Sequence, residues 1–587
     1  MIQCRAALEF LMSLDMTNSR TLAISLGQWS SAGCKSENQD FYGAVIPTNT
    51  TLALKGITVA VADGVSSSKM GREAAEISVK GLLTDYYSTP DAWTVKPAAA
   101  SVIAATNGWL HSKSRAAHVE NIDQGWVSTL SALILKAGTA HIFHVGDSRI
   151  WRMSGRSLEQ LTVDHSLPNG AGGHFLSRAM GAAAQVEIDH IATPISVGDV
   201  FLMTTDGVHA AMVGGDVADI LAAASDLNVA AETIGQAAYD LGSQDNLTVQ
   251  IIRIEALPSP QTADLVGDLA SLPCPDLPKA GDVIDGYVIK RSIHANARSH
   301  IYLAQAHGQA PVALKIPSVD LREDPDYRRR FLMEEWIARR VQNSHLLSAV
   351  PAPENRTKFY TLSEYISGQT LRQWMHDTPN ASLQDVREIV AQLISGTRAM
   401  HRRQMLHQDL RPENIMIDAS GTVKIIDFGS TFVAGVAETA QIQQGQDVLG
   451  TLQYAAPEYF AGERAGPASD LYSIGVIAYE MLTGRLPYGT RVSQVRSRKD
   501  LRSLCYIPAR DAGNGVPDWV DAALQRAVHP IAANRQTSMS EFLTDLKRPS
   551  AKWARQTARP LMERNPLAFW KSLSVAFGLI ILFLLTR

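Results

Sequence analysis

Cysteine is scarce in this chain of 587 residues: Cys4, Cys34, Cys274 and Cys505 are the only four, and they lie far apart. No two have the spacing of a zinc-ligand pair. Scattered single thiols suit a reducing compartment, where their ordinary use is as small buried apolar groups. Charge of one sign is also missing. Lys and Arg number 54 against 58 Asp and Glu, a net charge of −4, which gives no electrostatic footprint for nucleic acid. The N-terminus lacks a clean apolar core for a signal peptide, because Glu9 interrupts the patch after Arg5 and Asp15 follows. Recognisable pattern starts near Thr21, so residues 1–20 read as an extension, with Met16 a candidate start. What remains is a composition ordinary for globular domains, 45% hydrophobic. The chain is too long for one core, and three or four folding units are expected.

From Thr21 to Glu255 short β-branched runs alternate with turns. Ile57–Ala62 reads as a strand followed at once by Asp63-Gly64. Thr129–Lys136 and Thr139–Val145 read as a hairpin about Ala137-Gly138, with Gly146-Asp147 beyond. Asp199–Thr205 ends in Asp206-Gly207, Asp245-Asn246 precedes Leu247–Ile254, and Asp40 precedes Phe41–Ile46. Helical pattern occupies Gly71–Tyr86 and Lys96–His118. One Asp-Gly after a strand is turn chemistry. Five acids that each flank a strand can converge at one sheet rim, where like charges repel unless cations hold them. Oxygen-only ligands select Mg²⁺ or Mn²⁺, and two such ions could activate a water for attack on phosphorus.

The strings GCKSENQD (33–40), ADGVSSSKMG (62–71), STLSALIL (128–135), HVGDSRIWRM (144–153), LEQLTVDHSL (158–167), TTDGV (204–208) and GSQDNLTV (242–249) resemble, in order, the motifs of metal-dependent Ser/Thr protein phosphatases of the PPM type. The resemblance implies an α-β-β-α sandwich with a binuclear Mg/Mn centre over residues 21–255. By position, Asp63 would bridge both metals and the Gly64 carbonyl would bind one. Asp206 and Asp245 would ligate directly, Asp40 directly or through water, and Asp147 would serve a third, weaker ion. Three positions depart from the pattern. Lys35 stands where an arginine grips substrate phosphate, keeping the charge but losing the bidentate fork. Gln39 replaces a glutamate, and Val65 a histidine that bacterial members also lack.

Residues 256–282 hold Pro258, Pro260, Pro273, Pro275 and Pro278 and read as a semi-extended linker, with one helical turn expected at Thr262–Leu272. Beyond it the string HQDLRPENIMIDASGTVKIIDFG (407–429) resembles the catalytic loop and DFG segment of Ser/Thr protein kinases. A two-lobed kinase fold over 283–548 is implied. Asp409 would orient or deprotonate the substrate hydroxyl, and Asn414 and Asp427 would hold Mg²⁺. Lys315 in VALKIP (312–317) would contact ATP phosphates and pair with Glu334, or failing that Glu335. YTLSEYISGQTL (360–371) resembles the hinge between lobes, and Leu383–His401 an amphipathic helix leading into the catalytic loop. GTLQYAAPEY (450–459) resembles the end of the activation segment. The apolar helix 471–482 opened by Asp470 resembles the buried central helix, and Arg535 matches the partner of Glu458.

The kinase resemblance has departures of its own. Arg411 replaces a lysine that contacts the transferred phosphate. Gln408 replaces the arginine that clamps a phosphorylated loop, so activity is expected not to depend on loop phosphorylation. The three glycines of the nucleotide loop become His294, Asn296 and Ser299, which removes the tight backbone approach to phosphate. Two readings follow. In one, a bifunctional enzyme phosphorylates Ser/Thr on proteins with ATP and Mg²⁺ and hydrolyses phospho-Ser/Thr, including its own autophosphorylation at Thr439 or Thr451. In the other, an active phosphatase is regulated by a kinase-like domain that only binds nucleotide or a partner.

Lys547–Lys571 is basic, residues 549–566 read as a juxtamembrane linker, and Leu573–Leu585 is almost purely apolar. Residues 567–586 are expected to form a transmembrane tail anchor, making the membrane a partner. The basic flank places both catalytic domains in the cytoplasm, on a single-pass protein of a bacterial inner membrane. The fold class expected is therefore α+β multidomain: phosphatase sandwich, two-lobed kinase, then one C-terminal transmembrane helix.

Overall fold

The computed structural model describes residues 21–585 apart from 119–123, 155–156, 169–173, 213, 259–268, 270, 297, 354, 380, 441–452, 462, 464, 496, 513–514, 551–552 and 554–565. The N-terminal extension, the turn expected at Thr262–Leu272, most of the 549–566 linker and Thr451 thus lie outside the described residues. The chain divides into two compact units. The first is residues 1–270 with two later segments, Arg403–Met405 and Val433–Gln443; the second is the remainder.

The first unit is built on two five-stranded sheets, antiparallel throughout. One runs in the order Ala23–Ser31, Leu247–Ala256, Val200–Thr204, Arg149–Ser154, Ser157–Gln160. The other runs Asp189–Pro194, Thr139–Val145, Leu130–Lys136, Ile57–Asp63, Asp40–Val45. Central strands read as unbroken apolar runs because both faces are covered: every residue of Leu130–Lys136 is buried. Val59, Val61, Leu133, Ile142, Phe201 and Ile252 fill the space between the sheets. The helices Gly71–Ser88 and Val95–Ala116 cover the outside of one sheet. Gly214–Ala223 and Leu227–Asp240 cover the other. The order is helix, sheet, sheet, helix.

The second unit has a five-stranded antiparallel sheet, Val283–Ile284, Tyr287–Ala295, Ser299–Ala306, Val312–Pro317, Thr361–Glu364, carrying the helix Pro325–Arg340. That helix starts with the Asp324 side chain accepting from the Asp326 and Tyr327 N–H groups, and Pro325 at its first turn. The rest is mainly helical. Leu383–His401 opens with a Ser382–Asp385 capping box. Pro467–Thr483 is buried almost end to end and stops where Gly484 takes φ +66°. Arg535, 2% exposed, makes a double ion pair with Glu458 at 2.8 and 2.7 Å and donates to three backbone carbonyls.

The membrane-spanning tail is corrected. Among the described residues no helix is long and apolar enough to cross a membrane. The terminal helix Pro566–Leu585 has 20 residues, about 30 Å at full length and no longer than a hydrocarbon core. Lys571, Ser572 and Ser574 interrupt its first half. The unbroken apolar part, Val575–Leu585, is only about 16 Å. The membrane as a partner is withdrawn with it, and the single-pass inner-membrane placement loses its basis.

Arg535→Ala is expected to strand a buried Glu458 carboxylate. The cost is about 3–5 kcal/mol of stability in the second unit, read as a lowered denaturant midpoint for that unit's transition.

Candidate functional site

In the first unit, Asp40 and Asp63 face each other directly across neighbouring antiparallel strands. Asp206 begins a short helix straight after the strand Val200–Thr204, with Gly207 against the Asn246 backbone. Asp245 precedes the neighbouring strand Leu247–Ala256. Asp147 follows Gly146, whose φ of +114° turns the chain sharply at the end of Thr139–Val145. A side chain at Gly64 would strike Gly71, so the backbone there is held close.

The acids feel one another. Burial pushes Asp40 up to about 7, with the charge of Asp206 adding to it while hydrogen bonds from Thr248 and Thr205 oppose. Burial raises Asp63 well above the usual range, and Asp40, Asp206, Asp245 and Asp147 all push the same way. Burial and then Asp245 raise Asp206. Asp147 reaches about 7 through burial, then Asp206 and Asp164. Asp40 Oδ1 and Asp206 Oδ1 are buried with no hydrogen-bond partner among the described residues. Orphaned carboxylate oxygens that repel one another fit divalent cations, with protons the other way to neutralise them. No three His, Cys, Asp or Glu side chains among the described residues form a ready-made metal shell.

Lys35 turns inward: its ammonium pairs with Asp245 and donates to Ser66 Oγ at 2.7 Å. Several residues that sequence reasoning passed over support the acids. Thr205 and Thr248 donate to Asp40 Oδ2 at 2.8 and 2.7 Å. Thr129 Oγ1 accepts from the Asp63 N–H at 2.8 Å. His165 Nδ1 accepts from the Gly146 N–H at 3.2 Å, and its Nε2 lies 3.0 Å from Asp189, fixing the turn before Asp147. All but Asp189 stand inside the quoted motif strings or beside them, yet nothing in their residue type marks them.

In the second unit, Lys315 Nζ lies 2.6 Å from Glu334 Oε2. Glu335 pairs instead with Arg339 and Arg356, which decides between the two glutamates. Burial alone would lower Lys315, but Glu334 and Asp427 hold it above its usual range. Burial would raise Asp427, yet Lys315 and the Gly429 N–H keep it low and ionised. Asp427 takes φ +66°, a costly conformation for a side-chain residue. Asn414 Nδ2 donates to both the backbone and a side-chain oxygen of Asp409, each at 3.0 Å. Arg411 donates to Glu413 at 2.8 Å. Buried Asp470 accepts from the His407 and Gln408 N–H groups at 3.0 Å each, and lies 2.8 Å from His401. It fixes the loop from behind. In the glycine-free hairpin, Asn296 Oδ1 accepts from the Arg298 and Ser299 N–H groups at 2.8 Å each. An Asx turn thus does the bending that glycine would otherwise permit.

Two family models match successive parts of the chain. Residues 31–237 match the family model for protein phosphatase 2C, and residues 287–564 match the model for the protein kinase domain. Among curated relatives, the probable serine/threonine-protein kinase PknB of Bifidobacterium longum is 32% identical over 259 residues, 43% of this chain and 37% of that one. The serine/threonine-protein kinase PrkC of Bacillus subtilis is 29% identical over 265 residues, 44% and 40%. The chain thus spans well under half the length of these relatives. Among solved structures, PppA of Pseudomonas aeruginosa is 22% identical with a TM-score of 0.34, covering 40% of this chain and 99% of that one. The serine/threonine phosphatase Stp1 of Staphylococcus aureus gives 18% and 0.36, covering 40% and 97%.

The shifted acids carry a pH dependence. Asp40 would release its proton near 3.8 when unfolded and near 7 when folded. Between those values the folded state binds more protons, so stability falls as pH rises. His141, His144 and His209, held low by burial, act the other way, so Asp40 is read by difference: with chelator present, the melting temperature of the parent relative to Asp40→Asn is expected to fall from about pH 4 to about pH 7. Melting scans at constant ionic strength read it.

Proposed function

We propose that this chain, which carries a protein phosphatase 2C domain followed by a protein kinase domain, both transfers phosphate from ATP to Ser/Thr side chains of proteins and removes it. The observation that supports the pairing is that each unit gathers its own set of groups: five carboxylates in the first, and in the second Asp427 acting on the Lys315–Glu334 pair, with Asn414 holding Asp409.

In the phosphatase domain Asp63, the Gly64 carbonyl, Asp206, Asp245 and Asp40 would hold two Mg²⁺ or Mn²⁺ ions, with Asp147 at a weaker third. Bound there, the ions would supply an activated water for in-line attack on phosphorus. Lys35 would exchange its pairing with Asp245 for the substrate phosphate. Thr205 and Thr248 keep Asp40 oriented.

In the kinase domain Lys315, held by Glu334, would bind ATP phosphates. Asn414 and Asp427 would hold Mg²⁺. Asp409, its carboxylate fixed by Asn414 Nδ2, would accept the substrate hydroxyl proton, and Arg411 would neutralise the transferred phosphate. Substrates are Ser/Thr proteins and their phosphorylated forms, with autophosphorylation one source. The regulatory alternative draws on His294, Asn296 and Ser299. The Asn296 turn answers it in part, because the hairpin closes without glycine.

The full chain carrying Asp63→Ala, incubated with labelled ATP and Mg²⁺ or Mn²⁺, is expected to accumulate label on Ser/Thr. Adding Asp427→Ala should abolish it. The same Asp63→Ala change should slow phosphopeptide hydrolysis by roughly 10²-fold or more. Absence of label while nucleotide still binds would leave one enzyme on the chain and a regulatory second domain.

A further inference from the structure

Lys136 ends the strand Leu130–Lys136 and is 1% exposed. An ammonium so deep is costly without compensation, and no part of the phosphatase chemistry uses it. Burial acts to lower it; Glu438 is the largest influence opposing that, and Asp91 adds to it. Its Nζ donates to the Gly435 carbonyl at 2.9 Å and pairs with Glu438 Oε2 at 3.0 Å. Both partners sit on the helix Ala434–Ala440, which belongs to the first unit although it begins shortly after Asp427-Phe428-Gly429 in sequence.

The surroundings are built for that helix. Glu438 Oε2 also accepts from the Val95 N–H at 3.1 Å, at the N-terminus of the helix Val95–Ala116, where backbone donors and the helix dipole favour an anion. Its other oxygen lies 3.6 Å from His141 Nε2. The Gly435 N–H donates to the Ala92 carbonyl at 2.9 Å. A Cβ at 435 would fall 2.8 Å from the Asp91 and Trp93 carbonyl oxygens, so only glycine allows this approach. One buried cation, one helix terminus and one glycine-sized gap therefore converge on a four-residue stretch, Gly435–Glu438.

We propose that Lys136 and the Val95 N-terminus form a carboxylate receptor for the activation segment, capturing Glu438 and docking Ala434–Ala440, and that this docking restrains the kinase. A segment fixed so shortly after Asp427 in the sequence is not free to rearrange around a protein substrate. Release would free it, and competition for the receptor would couple the state of the first unit to kinase output. The restraint rests on the kinase reading above; the docking does not.

The test uses the full chain with Glu438→Gln and, separately, Gly435→Val, each altering the docked helix and leaving the sheet side chains untouched. Amide hydrogen exchange across 434–440 is expected to quicken by about tenfold or more in both, with the strand Thr139–Val145 unchanged. In an Asp63→Ala background, label from ATP is expected to rise by about threefold or more. Unchanged exchange across 434–440 would overturn the receptor. Faster exchange with label equal to or below that of the parent would overturn the restraint. Faster exchange with no label from any form, parent included, would uphold the receptor and remove the kinase reading.

Discussion

Carboxylates forced together out of water are the constraint on which the first unit turns. Asp40 and Asp63 stand opposite each other because their strands are neighbours in antiparallel register. A slip of one residue would send either side chain to the other face of the sheet. The apolar runs on both strands forbid that slip, since Val59 and Val61 already fill the inter-sheet core. Hydrophobic packing therefore sets the position of charge, and the charge must be neutralised by protons or by cations. The raised acids and the orphaned oxygens of Asp40 and Asp206 are two signs of that one condition.

The second unit solves a related problem differently. Here the charged groups that set position have partners: half-buried Lys315 with Glu334, buried Arg535 with Glu458, and buried Asp470 with His401 and two backbone N–H groups. None of these pairs is a gain over well-packed apolar residues in principle, because desolvation offsets the attraction. What they supply is position. Asp470 fixes the backbone of His407 and Gln408 one residue before Asp409, so a carboxylate buried behind the loop decides where the proposed base sits.

Much of this was legible in the sequence because the chemistry sits at strand ends and tight turns, where Asp, Gly and Asn leave local marks. The five acids stood out by their recurrence at strand ends, while Lys315 and the Arg535–Glu458 pair were read from the resemblance of their strings to the kinase pattern. Residues whose role depends on partners far along the chain left no such mark. Thr248 reaches Asp40 across 208 positions and Gly435 reaches Lys136 across 299. Both look ordinary in their own neighbourhoods. The preference for Glu334 over Glu335 rested on spacing, and the fold reinforces it by giving Glu335 to Arg339 and Arg356. The tail was misread for the opposite reason. A local apolar run looked decisive, but Lys571 and the two serines shorten its continuous part.

Buried lysine is the strongest argument for treating the returning helix as more than incidental packing. A buried strand end has no need of an ammonium to hold its place in the sheet. Methionine would fill the same space without the desolvation cost. The cost is offset chiefly when Gly435 and Glu438 are in place, with Asp91 adding to it, so the first unit keeps a destabilised group most of whose compensation comes from a segment some three hundred residues away. A group that is costly alone and satisfied when paired favours the paired state strongly, and any event that weakens the pairing is felt at both ends. That is the physical form a link between the proposed opposing activities would take: a single charge whose burial is tolerable in only one arrangement of the chain.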